Sequence, residues 1–112
     1  MTDPVRYPAD IIAHANALHD GIIVFDSHVD LPLDFGRGDR AADVDGPTQF
    51  DLVKAARGRL SGAALTVHAS AARSTPENIE KGRQELETRY EIITGIARDF
   101  PERVGIAYAP AD

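Results

Sequence analysis

The densest chemistry in the chain lies in one heptapeptide, Asp26-Ser27-His28-Val29-Asp30-Leu31-Pro32. Where a backbone is extended, side chains alternate between faces, so Asp26, His28 and Asp30 share one parity. At ~3.3 Å per residue, His28 and Asp30 stand roughly 7 Å apart along the backbone and point the same way. That spacing lets an imidazole nitrogen and a carboxylate oxygen reach one metal ion, and zinc accepts both donors at ~2.0–2.2 Å. Asp26, one step deeper, is placed to orient His28 or another ligand without touching the metal itself. The same residue types also cap turns and pair with each other, so the motif alone leaves a metal site and a hydrogen-bonded pair both open.

The other reactive side chains are less suggestive. His68 ends a second apolar segment with Thr66 on its parity. It has two readings, a residue lining the mouth of a site or a structural histidine satisfied by its neighbours. His14 falls in the first helical segment and His19 near its end, where an imidazole can interact with the helix C-terminus. Neither reads as a ligand. Tyr108 reads as packing. Arg37-Gly38-Asp39 matches a cell-adhesion tripeptide, but three residues match by chance often, and a solvated turn is the plainer reading.

Two apolar strands must position the heptapeptide and His68. The first, Gly21-Ile22-Ile23-Val24-Phe25-Asp26, is apolar on both parities, the pattern of a strand buried on both faces of a parallel sheet. An apolar strand that turns abruptly ionisable is the layout of an α/β active-site mouth. Before it, Ile11, Ile12, Ala15 and Leu18 share one face of a helix of about three turns. Pro8 sits near the first turn of that helix, Asp10 favours its N-terminus and Gly21 stops it. Residues 33–47 form a loop containing Gly36, Gly38, Gly46 and Pro47, long enough to invite a functional role. Residues 49–59 read as a short helix and 60–69 as the second strand. Ser74-Thr75-Pro76-Glu77 opens a long helix with an N-cap, a first-turn proline and capping-box spacing. Its apolar residues Ile79, Leu86, Tyr90, Ile93, Ala97 and Phe100 form a stripe expected to face the core, and Pro101 ends it. Residues 104–109 are a third candidate strand. Strands alternating with helices predict an α/β fold with parallel strands and right-handed crossovers.

Composition narrows the classes. The chain has 112 residues, room for one domain over 1–112, with 43% hydrophobic and 27% charged residues. No apolar run is long enough to span a bilayer, and residues 1–10 lack the apolar core of a secretory signal. There is no cysteine, which excludes disulfides and thiolate metal sites and fits a reducing compartment. The expectation is a cytoplasmic protein without a membrane partner. The net charge is -6, and the Lys and Arg residues are scattered, which argues against nucleic acid as a partner.

The heptapeptide resembles the Asp-Gly-His-Asn-Asp-Leu-Pro signature of the membrane (renal) dipeptidases, zinc peptidases among the amidohydrolase-type barrels. His19-Asp20-Gly21-Ile22-Ile23-Val24-Phe25 is similar to that family's lead-in, and Gln49-Phe50-Asp51-Leu52-Val53-Lys54 to its Gln-x-Asp-Leu-x-Arg/Lys helix. Residues 57–69 sit where the family has a glycine-rich entry to its second strand. Ser27 stands in place of the usual glycine and Val29 in place of asparagine. Arg59-Leu60-Ser61 departs from the usual Gly-Gly-Val.

The resemblance implies a (β/α)8 TIM barrel with two zinc ions at its C-terminal mouth, of which this chain is the N-terminal portion, about three βα units. It implies that His28 and Asp30 bind one zinc ion. The family's bridging glutamate, two further histidines and proton-handling aspartate all fall beyond residue 112. Glu77, Glu80, Glu85, Glu87 and Glu91 lie in the long helix and Glu102 just after it, none at a strand end. No catalytic residue is therefore expected within the chain. A barrel of this kind takes about 250 residues, and two ligands leave zinc short of a closed site. The expected function is hydrolysis of dipeptides by a metal-activated water, with this chain inactive by itself and homo-oligomerisation left open. The alternatives are another hydrolase of the amidohydrolase type and a non-catalytic α/β binding module.

Overall fold

A computed structural model describes residues 5–112, so residues 1–4 of the N-terminal stretch read above for a signal lie outside the described residues. The element order is α1 (Ala9–Asp20), β1 (Phe25–Val29), a single 3-10 turn (Gly38–Arg40), α2 (Leu52–Arg57), β2 (Gly62–Leu65) and α3 (Pro76–Asp99). β1 and β2 pair in parallel, with Phe25 opposite Gly62, Asp26 opposite Ala63 and Val29 opposite Leu65, and an irregularity between Asp26 and Val29. The helix between them makes this a β-α-β unit, as the alternating pattern predicts.

Local sequence explains where the helices begin and end. Thr75 caps α3, its hydroxyl accepting from the Asn78 backbone N–H at 3.2 Å, with Pro76 at the first helical position. α2 is shorter than the expected 49–59, because Asp51 is fully extended (φ -157°, ψ 170°) and serves as the N-cap, its Oδ1 accepting from Lys54 N at 2.7 Å. At the other end, Leu60 N donates to Ala55 O at 2.9 Å and Arg59 N to Ala56 O at 3.1 Å, the paired bonds of a Schellman turn. That turn needs a left-handed residue, and Arg59 supplies it with φ 55°. Glycine adopts that conformation without strain.

The strands also differ from expectation. β1 starts at Phe25 rather than Gly21, although Val24 already meets the entry to β2: Val24 O accepts from Ser61 N at 2.8 Å, and Val24 N donates to Ser61 Oγ at 3.0 Å. The strand therefore runs into the ionisable heptapeptide, as far as Val29, instead of stopping before it. The expected burial on both faces is not met, since Ile22, Ile23 and Phe25 are exposed. The sheet has two strands, and no described element covers those side chains. β2 covers four residues of the expected 60–69, and residues 104–109 form no strand, although Val104 packs against the core.

The core is small and sits directly behind the end of β1. Leu31, Phe35, Ala42, Leu52 and Ile96 are buried, with Val29, Phe50, Leu65, Ile92, Ile93, Phe100 and Val104 packed against them. The 33–47 loop thus contributes two core residues, and Phe35 tilts against Phe50 with ring centroids 6.5 Å apart. The N-terminal half of α3 does not follow the expected apolar stripe. Ile79, Leu86 and Tyr90 are exposed, and the inward face of that half carries Glu85 and Arg89. Polar bonds to the chain after β2 fix that face, while Ile92 and Ile96 seat the C-terminal half in the core. The radius of gyration is 17.1 Å, against roughly 13 Å for a compact domain of this length. The open shape leaves α1 with Ile11, Ile12 and Leu18 exposed.

Candidate functional site

The C-terminal ends of β1 and β2 bring together four side chains: His28 and Asp30 from the first, Thr66 and His68 from the second. His28 Nε2 lies 3.1 Å from Asp30 Oδ1. His68 Nδ1 lies 3.4 Å from the same oxygen and 3.2 Å from Thr66 Oγ1. The Thr66 hydroxyl donates to Asp30 Oδ1. Parallel pairing causes this convergence, because strands running the same way finish at the same edge. Beyond the Val29–Leu65 pair, Thr66 N still donates to Val29 O at 2.9 Å, and the next residues carry the site.

Asp26 does not reach the imidazole of His28. Its Oδ1 accepts from the His28 backbone N–H at 3.0 Å, pinning the main chain at the irregularity in the strand. It thus steadies His28 through its backbone, a more local role than the sequence suggests. His68 does line the cluster, with its side chain 38% exposed. His14 and His19 lie on α1, away from these residues in sequence and with no bond to them.

The electrostatics favour an ionised Asp30. The Thr66 hydroxyl is the largest influence and holds its carboxyl below the usual carboxylate range; desolvation opposes it, and the neighbouring His28 and His68 imidazoles add smaller effects in the lowering direction. The backbone after β2 is held from α3. Arg89 Nη1 donates to His68 O at 2.6 Å, and Glu85 Oε2 accepts from Ser70 N at 2.8 Å. Both side chains are nearly buried, at 8% and 10% exposure. The Ser70 amide keeps the Glu85 carboxyl below its ordinary pKa, so the clamp is ionic at neutral pH. Sequence reasoning places Thr66 on the face of His68 but gives it no role, and it misses Glu85 and Arg89. Thr66 had one available signal, its shared parity with His68. The clamp had none, since Glu85 and Arg89 look like any exposed helical pair.

The donor set suits a divalent cation in part. Two ligands ~2.0–2.2 Å from one ion at a tetrahedral angle stand roughly 3.4 Å apart. The 3.1 Å between His28 Nε2 and Asp30 Oδ1 is within a few tenths of that edge. One nitrogen and one anionic oxygen are donors that zinc takes. Among the described residues, no group of three or more His, Asp or Glu side chains is arranged to hold a metal ion. The geometry thus offers two ligands of a larger set.

Comparisons with known proteins bear on the same residues. The family model for membrane dipeptidase (peptidase family M19) matches residues 12–112. The crystal structure of the probable dipeptidase PvdM from Pseudomonas aeruginosa is similar, with a TM-score of 0.85 and 49% sequence identity. The match covers 95% of this chain and 28% of that one, so this chain spans little more than a quarter of the length of the solved relative. No curated protein sequence matches. The α/β class with parallel strands holds over the whole matched region.

Proposed function

This chain belongs to the membrane dipeptidase family, and on that premise we propose that it supplies the first metal-ligand pair of a metal-dependent dipeptidase with a barrel fold. The observation that carries the reading is the 3.1 Å approach of His28 Nε2 to Asp30 Oδ1 at the open end of β1. His28 and Asp30 would hold one zinc ion. When bound, zinc supplies a Lewis acid that polarises a scissile carbonyl and lowers the pKa of a water. The residues of this chain hold and orient. Asp30 presents an anionic oxygen, steadied by Thr66, and Asp26 fixes the backbone that carries His28. None of them is placed to move the proton of the reaction. The 112-residue chain, with two ligands, is inactive in dipeptide hydrolysis by itself.

The test is hydrolysis of a dipeptide panel by the gene product that carries this chain, with and without a zinc chelator, beside the 112-residue chain alone. The expected result is chelator-sensitive turnover that His28→Ala and Asp30→Asn each abolish, and none from the short chain. Wild-type kcat/KM in both variants would overturn the ligand assignment, and turnover by the short chain would overturn its inactivity.

A further inference from the structure

We propose that Thr66 is a positioning residue of this centre, holding the Asp30 carboxylate from the neighbouring strand so that it faces a cation beside His28. The inference rests on the metal-ligand reading above and adds a residue to it. Asp30 lies one residue past the end of β1, with its side chain 56% exposed. An exposed aspartate samples several rotamers, and a ligand that must be ordered on binding costs affinity. Thr66 removes that freedom from outside β1. Its backbone N–H is fixed to Val29 O at 2.9 Å, so its hydroxyl is delivered by the sheet itself.

The hydroxyl carries one proton and two lone pairs. It has two acceptors in reach, Asp30 Oδ1 and, at 3.3 Å, Val29 O. A carboxylate is the stronger acceptor. With the proton directed to Asp30, the Thr66 oxygen is free to accept from His68 Nδ1 at 3.2 Å. An ionised carboxylate has about four lone-pair sites, so accepting from Thr66 leaves capacity for a cation. The strap bearing Thr66 is held at both ends, by the β1–β2 pairing before it and by the bond of Arg89 to His68 O after it. A threonine so anchored acts on Asp30 as an outer hydrogen-bond partner acts on a metal ligand.

The test compares Thr66→Val, which keeps the branched shape and the strand backbone, with Thr66→Ser, which restores the hydroxyl. Zinc affinity of the 112-residue chain is measured by calorimetry. The carboxyl carbon shift of Asp30 is measured by NMR at pH 7 without metal. Thr66→Val is expected to weaken zinc binding by roughly 10-fold or more and to move the Asp30 shift, and Thr66→Ser to recover both. Unchanged affinity and shift in Thr66→Val, beside loss of binding in His28→Ala, would overturn the assignment of Thr66 alone. Wild-type zinc affinity in His28→Ala would overturn the metal-ligand reading and this proposal with it.

Discussion

Replacing Arg59 isolates the strain in the turn that delivers β2 to the site. Arg59 is the one described residue other than glycine with a positive φ, at 55°. A side chain in that conformation costs roughly 1–2 kcal/mol, while glycine adds about 0.5–1 kcal/mol of chain entropy lost on folding. Arg59 also pairs with Asp20 at 2.6 Å across two well-exposed side chains, a contact worth about 0–1 kcal/mol. Arg59→Ala and Arg59→Gly both delete that pair, so their difference reports the backbone alone. The expected result is that the glycine variant is more stable than the alanine variant by about 0.5–1 kcal/mol. In thermal unfolding followed by circular dichroism, that is a gap of roughly 2–8 °C. An alanine variant as stable as the glycine variant, or more so, would refute the argument that the turn is strained.

Two further outcomes follow from the helix termini. Asp51 is fully buried, caps α2 and pairs with Lys54 Nζ; Asp51→Ala should cost more than the ~1 kcal/mol of a lost cap, and Asp51→Asn, which keeps the cap but loses the ion pair, should cost less than Asp51→Ala, checked by urea unfolding at pH 7. Glu80 is held down to about 2 from 4.5, first by hydrogen bonds from Arg83 and then by Gln84. Its depressed pKa makes its contribution complete above the unfolded value and lost as the pH falls from 4.5 toward 2. Thermal midpoints of the wild type and Glu80→Gln should therefore differ at pH 7 and converge near pH 2.

The parts legible in the sequence are those set by local chemistry. Thr75 and Pro76 announce the start of α3, Pro101 its end, and the parity of His28 and Asp30 their common face. What escaped depends on which segments meet. The bond from Thr66 to Asp30 spans 36 residues of sequence and exists only in one parallel register. The face of α3 that turns inward was misjudged for the same reason. Periodicity shows that Ile79, Leu86 and Tyr90 lie together, but the buried face is chosen by Ser70 and His68, whose backbone groups need Glu85 and Arg89. Apolar content alone predicts β1 from Gly21, four residues before the ladder begins at Phe25. The ladder instead follows the Schellman turn, which sets where Gly62 begins to pair.

The proposed metal centre stands on His28 and Asp30 as ligands of one ion. Long-range proton–nitrogen NMR of the four imidazoles during a zinc titration tests it most directly. His28 Nε2 is expected to shift on zinc addition, Asp30→Asn to abolish the shift, and His14 and His19 to stay where they are. A His28 nitrogen that does not move, or moves no more than those of His14 and His19, would contradict it.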